Sequence, residues 1–472
     1  MALNQHLHDS KAALKKALIS CLMCAFGWAN HAGSQTLTEQ VLGSIPITGP
    51  LGGSAIVSAR GNNIAVRERV RARERYVTLQ GPGAEFDRIL TGAVWIQDRL
   101  VYYAELGGKY YLIDGKNQIP LSGTPTSPLI LGRVWPSLDH THYLSFISDG
   151  KYISWYSDGI KQATQFDKLN NVPNVAPSSS TPIFGATVNC VARVIGHNPS
   201  AKANWDSVHW ISSSLDGTTM YAYGESVGRM LLVRNGITVF SDPLHNFLAS
   251  RDGTKWIAVV NRSTEITPRV VLMEDGKPVA EAAVDWTRQD LFLAANGSTW
   301  VWRIYDEDYA GVILRQPGKP DRRFARNPVE YYLSEDGKRE AYITVLSKAP
   351  DKVEVVVDTK QVSVEPNVTP RTFKFGPGSS FAFEARVGEL TSIISHLGRG
   401  PNFTEVSTVL FLPNGIPVYV ARNETKKFIV VGSTPIAISA DTLHDLTFRI
   451  EGTTAKVLGL RDTSLIAFSI LN

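Results

Sequence analysis

Tyr331-Tyr332-Leu333-Ser334-Glu335-Asp336-Gly337-Lys338, followed by Ala341-Tyr342-Ile343-Thr344-Val345, is the stretch on which the reading of the fold turns. A run of aromatic and aliphatic residues ends in Ser-Glu-Asp-Gly, residue types that close tight turns, and a second such run starts at once. Val353 to Val357, the turn pair Asp358-Thr359 and a last short run from Gln361 to Val364 complete the unit. Four short strands separated by turn residues are thus predicted within one compact stretch.

The same order recurs. Ser250-Arg251-Asp252-Gly253 precedes Trp256 to Val260, then Val270 to Met273 and the turn Asp275-Gly276; Ser214-Leu215-Asp216-Gly217 precedes Met220 to Tyr223, then Leu231 to Val233 and Asn235-Gly236. Asn-Gly and Asp-Gly supply the positive φ that two-residue hairpins require. Looser copies start near Asn62, Asp98, Asp139, Asn296, Gly378 and Asn414, with a partial copy from Leu446. Neighbouring markers lie roughly 36 to 44 residues apart, the length of one propeller blade. The fold class is therefore all-β, a β-propeller of about ten four-stranded units, arranged as one large ring or as two propellers. The composition agrees: 38 glycines and 25 prolines in 472 residues suit short strands and turns better than long helices.

In its Ser-x-Asp-Gly, strand, Asp-Gly order the chain resembles the TolB-type, or WD40-like, propeller repeat over most of its length after residue 55. The Gly-His and Trp-Asp signatures of true WD40 repeats do not recur from unit to unit. The resemblance implies a propeller that binds other molecules, and it implies no particular activity.

The remaining organisation is read from composition. Lys11, Lys15 and Lys16 precede the apolar stretch Ala17 to Trp28, with small residues at Gly27 and Ala29, the pattern of a signal peptide over 1–29. Only four residues separate Lys16 from Cys21, too few for the apolar segment of a lipoprotein leader, so lipidation is the weaker option. An N-terminal extension (30–55), first repeats (56–172), an inserted loop or hairpin (173–203, rich in Pro, Ser and Asn) and the remaining repeats (204–472) follow. Periplasmic or secreted localisation is expected. Loss of the leader removes three lysines and Asp9, taking the net charge from +4 to +2, and leaves Cys190 as a lone cysteine. No later segment offers the ~18 consecutive apolar residues of a transmembrane span.

Local motifs carry little chemistry. Gly224-Glu225-Ser226-Val227-Gly228 matches the nucleophile elbow Gly-x-Ser-x-Gly, but strand-forming residues on both sides read as a hairpin and no hydrolase domain fits the chain. Asp306-Glu307-Asp308 reads as an acidic hairpin tip without calcium-loop spacing. No cofactor and no metal are expected, and no catalytic residue is assigned. Arg67, Arg69, Arg71, Arg73 and Arg75 are the candidate site for an anion or partner: on one strand all five guanidinium groups share a face, whereas on a helix they scatter over a solvated surface. The partner expected is a protein, with an acidic surface or glycan as a further option and nucleic acid disfavoured by the near-neutral charge. The function read from all this is an exported protein-binding scaffold of the cell envelope or periplasm. Its alternative is a glycan hydrolase or lyase whose catalytic groups come from separate blades.

Overall fold

The computed structural model describes residues 36–471 apart from 47, 49–54, 59–62, 91, 122–133, 138, 149–150, 170–173, 176–181, 190, 196–204, 215–217, 265–266, 286, 306–310, 325–327, 349–350, 363–368 and 425. The expected leader at 1–29, Cys190 and the acidic tip Asp306-Glu307-Asp308 lie outside the described residues. Among the described residues every regular element is a β-strand.

The strands form eleven antiparallel sheets, one per repeat, numbered here as blades 1 to 11: 56–82, 88–120, 134–161, 168–195, 207–240, 244–282, 289–324, 328–362, 369–399, 405–438 and 442–471. Within most blades the strands pair in chain order, with the first at one edge; in blades 2, 4 and 10 two short first strands share one partner, and in blade 11 the last strand is not an edge. First strands of neighbouring blades touch one another, as Leu244–Ala249 does Gln289–Leu293 and the latter Pro328–Leu333, which puts them innermost around the axis. The expectation of about ten units in one ring or two resolves into a single ring of eleven.

Each hydrophobic cluster joins two adjacent blades. Tyr221, Tyr223 and Leu232 of blade 5 pack with Trp256, Ala258 and Val260 of blade 6, while Ile257 and Val259 on the other face pack with Trp300 and Trp302 of blade 7. Second strands therefore read as continuous apolar runs, because both faces are covered. Trp256, Trp300 and Trp302 are buried in these seams and the Trp210 ring lies 4.6 Å from that of Phe247 of blade 6, so all four act in inter-blade packing. Ile64, Val66 and Val77 of blade 1 meet Leu458 and Leu465 of blade 11, and this seam closes the ring.

The last blade obtains its outer strand from the other end of the chain. Thr36–Ser44 pairs antiparallel with Ser464–Leu471, from Thr36 opposite Leu471 to Ser44 opposite Ser464. Arg461 binds Glu39 at 2.8 Å, and Leu37 and Leu42 reach the cores on either side. Part of the expected N-terminal extension is thus the ring's closing strand.

The stretch 173–203, expected as an inserted loop or hairpin, supplies strands of blade 4: Asn174–Val175 and the hairpin of Pro182–Val188 and Val191–Ile195. Phe184, Ala186 and Ala192 are buried there, packed against blades 3 and 5. The doubled marker spacing between Asp139 and Asp216 reflects a blade without the Ser-x-Asp-Gly signal, since its hydrophobic residues alone place it.

Turns joining first to second and third to fourth strands lie at one end of the ring, called here the clasp end. Ser250 Oγ donates to Asp252 (2.6 Å) and accepts the Lys255 amide (3.0 Å), while Asp252 accepts the Thr254 amide (3.0 Å). Ser334 and Asp336 repeat this with Lys338 and Arg339, and Ser137 and Asp139 with Thr141 and His142. The turn residues Asp158, Asn235, Asp275 and Asp358 each accept the amide that opens the second strand, at Tyr143, Met220, Trp256 and Glu340. The repeated sequence motif is therefore a set of backbone clasps that satisfy turn amides.

Candidate functional site

The arginine run folds as a hairpin of blade 1, Ile64–Val70 against Arg73–Thr78, and both sequence expectations for it need correction. Arg71 turns the chain at φ 56°, with Arg69 opposite Glu74 and Glu68 opposite Arg75. Arg67 and Arg69 consequently project from one face of the sheet and Arg73 and Arg75 from the other. The turn wins because Ile64, Ala65, Val66, Tyr76 and Val77 must all enter the core, which a single long strand or a helix would prevent.

Three of the five are committed to carboxylates. Arg75 pairs with the buried Glu68 (2.6 Å) and with Glu85 (3.2 Å), Arg67 with Glu74 (2.6 Å) and Arg73 with Asp87 (3.5 Å). Burial would raise the Glu74 carboxyl, but the Arg67 and Ile89 hydrogen bonds hold it below its ordinary value. Arg69 and Arg71 remain exposed at the hairpin tip.

Gly224-Glu225-Ser226-Val227-Gly228 is also a hairpin: Met220–Ser226 turns at Val227 (φ 52°) and Gly228 (φ 69°) into Arg229–Arg234. Its first glycine has a packing reason, since a Cβ at 224 would run into the Ser207 carbonyl oxygen and the Trp205 ring. The strand-to-helix turn that an elbow serine needs is not present at this site.

The geometry singles out instead the start of the inner strands, at the end of the ring opposite the clasps. In blades 5 and 6 the inner strand bulges, between Val208 and Trp210 and between Leu244 and Asn246, and a histidine occupies each bulge. In blade 11 a wider irregularity begins at His444. The inner strands of blades 2, 4 and 10 are interrupted at the same end, each appearing as two short pieces on one partner. Bulges release backbone groups from the ladder and re-aim side chains, and they concentrate beside binding sites.

Around blades 5 to 7 this rim is polar and ordered. The His209 and Tyr223 rings lie 5.9 Å apart, and the Tyr223 hydroxyl accepts the Leu244 amide at 2.7 Å. Burial lowers the His245 pKa, with Asp285 pulling the other way, which favours the neutral imidazole. Asp285 itself is held below the ordinary carboxylate value by the Thr287 hydroxyl and amide. Arg303 donates to Asp290 through Nε (3.0 Å) and a terminal nitrogen (2.5 Å), and Tyr305 donates to the same oxygen. Burial and that bond push the Tyr305 hydroxyl well above the ordinary phenol value.

Sequence reading missed these residues, although a signal existed. Asp206-Ser207-Val208-His209, Asp242-Pro243-Leu244-His245 and Asp441-Thr442-Leu443-His444 share the pattern Asp-x-aliphatic-His. The aspartates pin the turn joining second to third strand: Asp206 accepts the Gly228 amide (3.3 Å), Asp441 the Asp462 amide (2.5 Å), and Asp242 the Arg262 guanidinium (2.6 Å).

A second polar cluster is structural. Glu340 receives both terminal nitrogens of Arg322 (2.5 and 2.6 Å), the Tyr331 hydroxyl (2.6 Å) and Gln316 (3.0 Å), joining blades 7 and 8. Burial alone would raise its pKa, but these donors outweigh it and hold the carboxylate charged. Among the described residues no group of three or more metal-ligating side chains is assembled, and no helix is long and apolar enough to cross a membrane.

No protein-family model matches the chain, and no curated protein matches it. Among solved structures it is similar to a eukaryotic initiation factor, at 9% identity and TM-score 0.35, covering 68% of this chain and 89% of that one. It is also similar to the β-propeller domain of the Trilobed protease from Pyrococcus furiosus, at 10% identity and TM-score 0.31, covering 64% and 94%. A third likeness is to the Cps50 (Swd1) β-propeller domain of Myceliophteria thermophila, at 12% identity and TM-score 0.26, covering 57% and 99%. At these levels none bears on function, and the chain's own sheet order and seams make it an eleven-bladed β-propeller.

Proposed function

We propose that the protein is an exported, TolB-type propeller of the periplasm or envelope, which binds a protein partner at the rim opposite the clasps. The observation that carries this reading is the repeated bulging of inner strands at that one end, on a scaffold whose other end is tied down by the Ser-Asp clasps. Rigid frames that free polar groups at a single face are suited to recognition. The carboxylates of that rim do not suit the alternative of glycan hydrolysis: Asp290 is engaged by Arg303 and Tyr305, and Asp285 is drawn toward its charged form rather than held protonated as a general acid.

The test is crosslinked affinity capture from the native envelope fraction, with His245→Glu as the rim variant and Lys277→Glu as a clasp-end control. A stoichiometric partner that follows the wild type and the control, and is lost with the rim variant, supports the reading. No partner, or one indifferent to the rim variant, ends it. Export is checked separately by the N-terminal sequence of the mature protein, expected to begin near residue 30; an intact Met1 in the cytoplasmic fraction would contradict it.

A further inference from the structure

The tips of the hairpins joining second to third strands are not chemically uniform around the ring. Blade 1 ends in Arg69-Val70-Arg71-Ala72-Arg73, blade 2 in Leu106-Gly107-Gly108-Lys109 and blade 5 in Ser226-Val227-Gly228-Arg229, segments without an acidic residue of their own, although Asp87 accepts the Gly107 amide and Asp206 the Gly228 amide. Arg69, Arg71, Lys109 and Arg229 are exposed, as is Arg73, which pairs with Asp87. Among the described residues, acidic residues stand at the corresponding tips of blade 8 (Asp351), blade 9 (Glu389), blade 10 (Glu424) and blade 11 (Asp462). Blades 1 and 2, and blade 5 beyond blades 3 and 4, therefore carry cationic tips.

Val227 adds a second, independent observation. It is 86% exposed and sits at φ 52°, a region that β-branched residues avoid because the Cβ crowds the following carbonyl. Other turns of this chain put Gly107, Asn235 or Asp275 at the corresponding left-handed position. An apolar side chain kept at the outermost point of a hairpin, against both its backbone preference and water, has its use in a contact made outside the molecule.

We infer that the hairpin tips of blades 1, 2 and 5 dock the protein on an anionic phospholipid surface, with Arg69, Arg71, Lys109 and Arg229 at the headgroup phosphates and Val227 entering the interface. Convex tips carrying both charge and an apolar point fit a yielding plane; a soluble acidic polymer would engage the charges and leave Val227 without a role. These tips lie at the same end of the ring as the proposed protein-binding rim, where Asp206 accepts the Gly228 amide, but none of the tip cations nor Val227 is a rim residue, so vesicle sedimentation of the purified protein reads this docking apart from partner capture.

The purified protein would be sedimented with vesicles of one part phosphatidylglycerol to three parts phosphatidylcholine, and with pure phosphatidylcholine. Binding to the first alone, falling steeply with added salt, is expected. The combined Arg69→Glu, Arg71→Glu and Arg229→Glu variant should weaken it by at least about a hundredfold, since each lost cation is worth roughly fivefold near such a surface and the added carboxylates are repelled as well. Val227→Asn suits the left-handed turn, so it should keep or raise the melting temperature while weakening vesicle binding severalfold. Equal sedimentation with pure phosphatidylcholine, none with either vesicle, or indifference to the charge reversals overturns the inference. Unchanged vesicle binding by Val227→Asn, with complete competition by dextran sulfate, also overturns it and assigns the sector to a soluble polyanion.

Discussion

Thr359 occupies a position that its neighbours' turns assign to glycine. In the pairs Asp158-Gly159, Asn235-Gly236 and Asp275-Gly276 the second residue has φ between 78° and 83°, and Thr359 sits at 71° beside Asp358. A β-branched side chain there costs about 1 to 2 kcal/mol, so Thr359→Gly should stabilise the protein by about 1 kcal/mol, read as a higher urea midpoint at constant slope. Glu340 behaves in the opposite sense. Its side chain is 14% exposed and bonded to Arg322, so Glu340→Gln should cost about 2 kcal/mol at neutral pH by leaving the guanidinium uncompensated. Because the folded carboxyl lies below its ordinary 4.5, its contribution is complete above that value and is lost as pH falls through the lower folded value. Wild type and variant should thus converge in acid, and a stability gap that persists at the lowest pH would show that charge is not the source.

At the level of the strand, the chain's legibility was uneven for physical reasons. Ser250, Asp252 and Gly253 announced a turn because each residue type has one dominant use there, and the clasp geometry bears this out. Blade 4 was illegible to that marker, since Phe184, Ala186 and Ala192 hold it by burial rather than by turn chemistry. The arginine run misled because strict alternation takes no account of a turn at Arg71-Ala72, which needs neither glycine nor asparagine. Bulged histidines are harder still: His209 and His245 declare themselves only when three blades are compared at Asp-x-aliphatic-His. The strand most exposed to test is Thr36–Ser44, whose side chains are mostly exposed and whose hold is chiefly main-chain bonding. Deleting 36–44 should lower the melting temperature by several degrees, as expected for losing on the order of a few kcal/mol from a large domain. It should also promote association through the bared edge of Ser464–Leu471. An unchanged transition in the deletion variant would mean that the seam between blades 1 and 11 closes the ring unaided.

For the whole molecule, eleven seams of similar build mean that no blade has a private core, and each is stabilised by its two neighbours. Negative-stain electron microscopy should show one annulus with eleven spokes; paired smaller rings would refute the closure seen at Ile64, Val66, Leu458 and Leu465. The one-ring answer was beyond the sequence, where ten weak markers fit a single circle or two equally well, because closure depends on a pairing between distant ends that no local pattern records. That pairing also imposes a schedule. Thr36 meets Leu471, so the closing strand leaves the ribosome 435 residues before its partner does, roughly 20 to 90 s at ordinary elongation rates. Throughout that wait the first blade lacks its last neighbour and an unpaired strand trails from it, a natural handle for a chaperone or a translocase.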